Sequence, residues 1–230
     1  MLRKKAMEQK SYKYLDIILG LFVAVIIISN IVSTKIVVIF GLIFDGGTIL
    51  FPLSYIFGDI LTEVYGYERS RRVIWTGFVS LVLMSLVIYL IGKMRPADFW
   101  PHQKAYENIL MYTPRIILGS IIAYFMGEFA NSFILSKMKI WTRGKYLWTR
   151  TIGSTLVGEL IDTVVFVVIA FIGTYTFGEV MAIIIANYLF KTSFEIAATP
   201  VTYRVVNWLK RKEEEDHYDY GVNYNPFIIK

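Results

Sequence analysis

The sequence contains no cysteine, and its 230 residues include only two histidines, His102 and His217. Without thiols the chain cannot form disulfides, use thiolate catalysis or bind metals through cysteine. Both histidines fall outside the apolar segments, so no histidine is predicted inside a membrane to hold a catalytic metal. We therefore predict neither a metal nor a cofactor.

Charged residues are scarce as well, at 18% of the chain, whereas soluble domains carry about a quarter. Hydrophobic residues make up 56% and the net charge is +6. A positive charge would suit nucleic acid, but Lys and Arg cluster in short segments between long apolar runs. The composition therefore predicts a protein of the cell membrane, in contact with lipid and without a nucleic-acid partner.

Six segments are long and apolar enough to cross a bilayer, which takes roughly 20 helical residues. They are residues 15–40, 48–65, 73–92, 114–137, 151–173 and 177–208. Apolar residues occupy consecutive positions in these runs and do not alternate with polar ones, which favours helices over membrane strands. We predict an all-α integral membrane protein, with a six-helix bundle over residues 1–212 and a polar cytoplasmic tail, without a core of its own, over 213–230. Residues 103–111 are predicted to form a short helix that either lies at the surface or folds over a cavity.

Basic residues indicate the orientation of this bundle. Most Lys and Arg residues lie before the first span or after the second, fourth and sixth, in residues 3–13, 69–72, 137–150 and 210–212. An even number of spans places these four regions on one side, and an excess of Lys and Arg marks the cytoplasmic side. We therefore predict that both termini are cytoplasmic.

Acidic residues inside the spans are costly, at about 2.5 to 3.5 kcal/mol each on insertion scales. In the second span Tyr55, Asp59 and Glu63 are spaced four apart, which places them on one helix face. Two interpretations stay open for the acids: they bind a ligand, or they pair with the arginines in residues 69–72.

The fourth and fifth spans carry a similar hexapeptide, with Glu128 and Asn131 in one and Glu159 and Asp162 in the other. This similarity is either a faint internal repeat of the kind found in transporters or a chance match. The interior acids outnumber the bases, so those left unpaired need a proton, a cation or a ligand. We predict a ligand role for Glu128 and Asp162 in particular.

The sixth span places Lys191 and Glu195 one turn apart, with Asn187 one turn earlier. Lys191 and Glu195 either form a buried structural pair or Lys191 contributes to a binding site. For Asn30 in the first span, a hydrogen bond between helices is the simplest role. Aromatic residues such as Phe166 are expected in the core or facing lipid.

The second span and its flanks resemble the hallmark segment of a known family. Residues 51–66, FPLSYIFGDILTEVYG, followed by Arg69, are similar to the queuosine precursor transporter family, also called the vitamin uptake transporter family. The similarity extends over nearly the whole chain, to Asn30 with Lys35, Pro114-Arg115, residues 128–131, residues 158–162 with Phe166, and residues 219–227.

The resemblance implies six helices, a fold similar to the substrate-binding subunits of energy-coupling-factor vitamin importers, and import of 7-deazaguanine compounds. A guanine-like edge presents two neighbouring N–H donors, which a carboxylate can accept together, and aromatic rings can stack on its flat face. We predict that the site lies between the fourth and fifth helices. The candidate substrate-binding residues are Asn30, Tyr55, Asp59, Glu63, Glu128, Asn131, Glu159, Asp162 and Lys191.

The sequence is compatible with three classes of function to different degrees. The first is a carrier or facilitator for 7-cyano-7-deazaguanine, 7-aminomethyl-7-deazaguanine or queuine, alone or as a homo-oligomer. The second is the binding subunit of an importer with energy-coupling subunits, because the chain lacks a phosphate-binding Gly-x-x-x-x-Gly-Lys-Ser/Thr motif. The third, a membrane enzyme, is disfavoured because His-Glu-x-x-His and Gly-x-Ser-x-Gly are both missing.

Overall fold

The computed structural model describes residues 11–39, 42–111, 114–173 and 176–228. Its α-helices are α1 (Leu15–Val32), α2 (Phe51–Tyr65), α3 (Tyr67–Lys93), α4 (Gln103–Leu110), α5 (Pro114–Trp141), α6 (Leu147–Phe171) and α7 (Phe177–Glu213). Six segments are long and apolar enough to cross a membrane, and they correspond to α1, α2 with the turn before it, α3, α5, α6 and α7. The predicted all-helical class with six spans is confirmed.

The first span is shorter than predicted. Helix α1 ends at Val32 and is followed by an antiparallel hairpin of β1 (Ile36–Ile39) and β2 (Leu42–Asp45), then by a short 3-10 helix, Gly46–Ile49. The prediction that the helix continues toward residue 40 is therefore wrong, although Phe40 itself lies outside the described residues. Residues 36–39 are all β-branched, and such side chains favour strands, a preference that a count of apolar residues does not detect.

Helix α2 lies at the centre of the bundle, where it packs against α1, α3, α5 and α7. Helices α5 and α6 form an antiparallel pair whose backbones approach closely at two glycines. A Cβ built on Gly127 would lie 3.0 Å from the carbonyl oxygen of Gly158, and the reverse distance is also 3.0 Å. The hydroxyl of the fully buried Tyr55 also lies against Gly127. Small residues at this crossing thus bring the polar faces of three helices together.

The bundle has two distinct ends. We call the end where α2, α5 and α7 finish the tail end, and the end with the β1–β2 hairpin the hairpin end. The N-terminal segment reaches the tail end, where the backbone N–H groups of Lys13 and Tyr14 donate to Glu213 at 3.0 and 2.8 Å. All four predicted basic regions have members at this end. Helix α4 follows α3 near the hairpin end and buries none of its residues, so the predicted short helix is confirmed as a surface element.

The polar tail packs against the bundle. Asp219 is buried and accepts hydrogen bonds from the backbone N–H of Tyr67, at 3.0 Å, and from the Ser136 hydroxyl, at 2.5 Å. Arg71 donates to the carbonyl oxygens of Asn223 and Asn225 at 2.8 and 2.9 Å. Specific hydrogen bonds therefore hold the tail to the first turns of α3.

Candidate functional site

A cavity of about 360 Å³ lies toward the hairpin end of the bundle. Its wall is formed by the end of α1, the 3-10 helix, the start of α2, and parts of α5, α6 and α7. The lining residues are Ser29, Asn30, Ser33, Gly47, Thr48, Phe51, Ser120, Ala123, Asp162, Thr163, Phe166, Val167, Phe171, Ile183, Asn187 and Lys191. The volume falls in the range of small-molecule sites, about 300 to 1,000 Å³.

An ion pair between α6 and α7 forms one side of this cavity. The Nζ atom of Lys191 lies 2.7 Å from Oδ2 of Asp162 and 3.3 Å from Oε2 of Glu159. The predicted pairing of Lys191 with Glu195 is therefore wrong, because the lysine extends across to α6 instead of along its own helix. The expectation that Asp162 lacks a basic partner is wrong for the same reason.

Aromatic rings lie beside the ion pair. The Lys191 ammonium is 4.2 Å from the centroid of the Phe51 ring, a distance at which a cation is attracted to a ring face. Phe166 and Phe171 form an edge-to-face pair at 5.9 Å on the α6 wall. A cavity with flat apolar faces and one pair of opposite charges suits a small, planar, polar molecule.

Amide and hydroxyl groups complete the wall. Asn30 donates to the carbonyl oxygen of Ile26 at 2.9 Å and accepts from the Ser120 hydroxyl at 3.0 Å, so the predicted bond between helices is confirmed. Ser29 donates to the carbonyl oxygen of Gly47 at 3.1 Å. Asn187 donates to the carbonyl oxygen of Ile183 at 3.0 Å. These bonds hold the amides of Asn30 and Asn187 in fixed orientations at the cavity surface.

Several predicted residues lie deeper, between the cavity and the tail end. Three of the acids there, Asp59, Glu128 and Glu195, are fully buried, and we call them the interior acid group. Asn131 donates to Oδ1 of Asp59 at 2.8 Å. The other five carboxylate oxygens of the group have no hydrogen-bond partner among the described residues. Ser54 lies near Glu128, but its hydroxyl donates to the carbonyl oxygen of Phe51 at 2.7 Å.

Glu63 lies at the tail end, in a network of bases. Arg150 donates to both of its carboxylate oxygens, at 2.6 and 2.7 Å, and Lys210 donates at 2.5 Å. Lys139 lies 3.4 Å away and also pairs with Asp216 at 2.6 Å. Burial raises the pKa of Asp216, but hydrogen bonds from Lys139 and Lys210 outweigh it and hold that pKa below its ordinary value.

The bases that pair with Glu63 are therefore not the arginines that follow the second span. Arg69 donates to the carbonyl oxygen of Tyr65 at 2.8 Å, and Arg71 binds the tail. Of the two interpretations left open for these acids, pairing of Asp59 and Glu63 with residues 69–72 is therefore wrong. Sequence distance favoured those arginines, but the fold brings Arg150 and Lys210 to Glu63 from α6 and α7.

Of the nine predicted site residues, Asn30, Asp162 and Lys191 line the cavity, and Glu159 contacts Lys191 behind its wall. Tyr55, Asp59, Glu63, Glu128 and Asn131 do not line it. Sequence reasoning missed Phe51, Ser120 and Phe166 as wall residues. Asn187, one turn before Lys191, could have been found from its helical spacing, whereas Phe51 reaches the cavity only because α2 starts there.

Comparisons with known proteins give a consistent result. The family described as "Putative vitamin uptake transporter" matches residues 45–205. A "Probable queuosine precursor transporter" of Bacillus subtilis is 30% identical over 199 residues, which cover 85% of this chain and 87% of that protein. The "Queuosine precursor transporter" of Escherichia coli is 24% identical over 192 residues, covering 82% and 84%. No solved structure matches the chain significantly.

Proposed function

Because the chain belongs to the vitamin uptake transporter family, we propose that it imports queuosine precursors across the cell membrane and binds them in the cavity at its hairpin end. The substrates are 7-deazaguanine bases, such as 7-cyano-7-deazaguanine. The observation that carries the placement is the Asp162–Lys191 ion pair beside aromatic rings, in a cavity of about 360 Å³. The family is one of transporters and not of enzymes, so we assign no catalytic step to the acids.

The charges of the ion pair complement the edge of a guanine-like base. Its ring N–H and exocyclic amine both donate, and a carboxylate such as Asp162 can accept both at once. The neighbouring carbonyl oxygen accepts, and the Lys191 ammonium is a donor on the same side. A substrate bound in this way would share Asp162 with Lys191, so the pair orients the base without leaving either charge unpaired.

The aromatic and amide residues suit the remainder of the base. Phe51 and Phe166 offer ring faces and edges for the flat purine-like skeleton, and such stacking contributes about 1 to 3 kcal/mol per base in other proteins. Asn30 on α1 and Asn187 on α7 add polar groups to the cavity wall, where they can hydrogen-bond a polar substituent of the base. We assign Tyr55, Asp59, Glu128 and Asn131 to the protein interior, and Glu63 to the scaffold at the tail end.

We further propose that the tail end faces the cytoplasm, so the cavity opens toward the outside. The support is the excess of Lys and Arg at that end, which marks the cytoplasmic side of membrane proteins. In this orientation the described state would accept substrate from outside. Release inward then requires rearrangement around α2, whose C-terminal end is held by the Glu63 network.

A self-sufficient carrier is favoured over the binding subunit of an ATP-driven importer by the interior acid group. A subunit that only presents substrate to energy-coupling partners has no need for costly buried acids beyond its binding site. Purification of the protein from its own membranes would distinguish the two. Transport by the isolated protein in liposomes supports the carrier, and a requirement for copurifying subunits supports the alternative.

The experiment that tests the binding site compares Asp162→Asn with Glu128→Gln. Binding of 7-cyano-7-deazaguanine to the purified variants is measured together with their melting temperatures. Asp162→Asn replaces an acceptor oxygen with a donor that opposes the substrate N–H groups, so we expect a loss of about ten- to a hundredfold in affinity. Glu128 does not line the cavity, so the Glu128→Gln variant should bind 7-cyano-7-deazaguanine nearly as the wild-type protein does. Equal losses in both variants would instead favour a site between α5 and α6.

Matched controls and a cellular test complete the design. Glu179→Gln changes an exposed acid of the capping box at the start of α7, a position that Gln also suits, so binding should be unchanged and the melting temperature should change little. In cells unable to make the precursor, the wild-type protein should restore queuosine in tRNA from externally supplied base, and Asp162→Asn should do so poorly. Failure of the wild-type protein in this assay, despite its presence in the membrane, would contradict the proposed function.

A further inference from the structure

We propose that the interior acid group binds protons and relays them between the cavity and the tail end, so that substrate uptake is driven by a proton gradient. This rests on the proposed function, which concerns the substrate and its site, and adds the source of energy. Charge balance, the supply of hydrogen-bond donors and the order of the acids along the bundle support this relay.

The buried charges between the cavity and the Glu63 network do not balance. Lys191 is the buried base in this region, and it pairs with two of the acids. Five buried acids lie there: Asp59, Glu128, Glu159, Asp162 and Glu195. The other buried bases of the described chain are engaged elsewhere, Arg150 and Lys139 with Glu63 and Arg71 with the tail. A buried carboxylate without a counter-charge takes up a proton, because the neutral form avoids the cost of desolvation. Lys191 carries one positive charge and can balance one carboxylate of the Asp162–Glu159 pair that it contacts. The remaining three acids, which do not contact it, are left without a counter-charge.

The supply of hydrogen-bond donors leads to the same conclusion independently. The buried amide oxygen of Asn131 has no partner among the described residues, nor do Oδ2 of Asp59 and both oxygens of Glu128. Glu128 and Asn131 lie together against Gly58, where a Cβ would be 2.7 Å from Oε2 of Glu128 and 3.7 Å from Nδ2 of Asn131.

Ionised carboxylates and amide oxygens only accept, so this arrangement lacks hydrogens. Each proton added to a carboxylate turns an acceptor into an O–H donor that can satisfy a neighbouring oxygen. The Tyr55 hydroxyl, itself without a partner in the described structure, can supply a single hydrogen. Protonation of the interior acid group therefore resolves both the excess charge and the missing donors.

The acids are also ordered along the bundle axis. Asp162 lines the cavity, and Glu159 lies one turn closer to the tail end on α6. Glu195 lies one turn beyond Lys191 on α7, and Glu63 lies one turn beyond Asp59 on α2, in each case toward the tail end. A chain of acids across a membrane protein is the usual construction of a proton relay. Its other titratable neighbours are Tyr55 on α2, Tyr124 and Glu128 on α5, and Lys191 on α7.

A metal cation is the competing occupant. Within the described residues, no group of three or more acidic or histidine side chains is arranged to hold a metal ion. In the closed interior seen here the group must be neutral, and opening toward the tail end would expose it to water, where the acids can release protons inward.

The test uses the purified wild-type protein in liposomes with labelled 7-cyano-7-deazaguanine. With the outside made one pH unit more acidic, we expect accumulation of up to about tenfold if one proton accompanies each substrate molecule. A protonophore should abolish accumulation, and an internal pH indicator should report acidification on addition of substrate. Exchange of labelled for unlabelled substrate without a gradient serves as the separate readout of the proposed function.

The outcomes separate the two proposals. Exchange with accumulation that is unaffected by the pH gradient, or that follows a sodium gradient instead, overturns proton coupling and leaves the proposed function in place. The absence of both exchange and accumulation overturns both. Because these readings use the wild-type protein, they do not depend on the folding of any variant.

A variant then tests the residues. Glu195→Gln mimics the protonated side chain, so it should fold and retain exchange. Its gradient-driven accumulation should fall from the wild-type value of up to about tenfold toward none. Asp59→Asn is the second variant, with Asn131 as its hydrogen-bond partner. Glu179→Gln, the exposed acid on the same helix as Glu195, should accumulate substrate as the wild-type protein does. Normal gradient-driven accumulation by both Glu195→Gln and Asp59→Asn would contradict the relay.

Discussion

Lys191 on α7 donates to Asp162 on α6 at 2.7 Å, across the wall of the cavity. Its second acidic contact, Glu159 at 3.3 Å, is also on α6. The pair therefore joins two spans and forms a charged part of the candidate substrate site.

Lys191→Met should destabilise the protein by about 3 to 5 kcal/mol, because it leaves Asp162 and Glu159 buried without their base. Asp162→Asn alone should lower the free energy of unfolding by less, since Lys191 still pairs with Glu159. The double variant should be less unstable than the sum of the two by about 0.5 to 3 kcal/mol. Thermal stability in detergent measures all three. A larger coupling energy between Lys191 and Glu195 than between Lys191 and Asp162 would contradict the pairing.

Glu63→Gln should be strongly destabilising, by about 3 to 5 kcal/mol, because it leaves Arg150, Lys139 and Lys210 facing one another around a neutral amide. The melting temperature should fall, while the affinity of the folded protein for substrate should not, because Glu63 lies at the opposite end from the cavity. Glu68→Gln, an exposed acid in the first turn of α3, is the control and should melt as the wild-type protein does. A selective loss of affinity would place Glu63 in the binding site instead.

Asp219→Ala should release the tail from the start of α3. The carboxylate accepts from the backbone N–H of Tyr67, and loss of such a bond at a helix start costs about 0.5 to 2 kcal/mol. We expect faster protease cleavage within residues 216–228, with a modest drop in melting temperature. Tyr220→Phe alters an exposed side chain of the same segment and should be cleaved at the wild-type rate. Unchanged cleavage in Asp219→Ala would contradict this prediction and mean that the other contacts hold the tail in place without Asp219.

The orientation proposed for the bundle predicts the location of reporters. A reporter appended after the last residue should be found in the cytoplasm, since the tail end carries most of the Lys and Arg. A reporter inserted into residues 94–102, between α3 and α4, should be found outside. Reversed signals would invert the bundle and place the cavity opening on the inner side.

The sequence alone determined the class of this protein and the position of its spans, since continuous apolar runs have few alternatives to membrane helices. Helical spacing also correctly placed Tyr55, Asp59 and Glu63 on one buried side of α2, because periodicity within a helix is fixed by backbone geometry. The motif in residues 51–66 indicated the family, which the comparisons established. The first span was the exception, since apolar β-branched residues also suit a hairpin.

Tertiary structure decided which charges meet. Glu63 and Arg150 are 87 residues apart, and nothing in their local sequence pairs them. Likewise, Lys191 and Glu195 are four residues apart on α7, a spacing that allows an ion pair. Lys191 nevertheless pairs with Asp162, because the rotation of α7 relative to α6 directs its side chain toward α6. Helix periodicity fixes the face on which a residue lies, but only packing between helices determines what that face contacts, and therefore which acids line the cavity and which remain without a base.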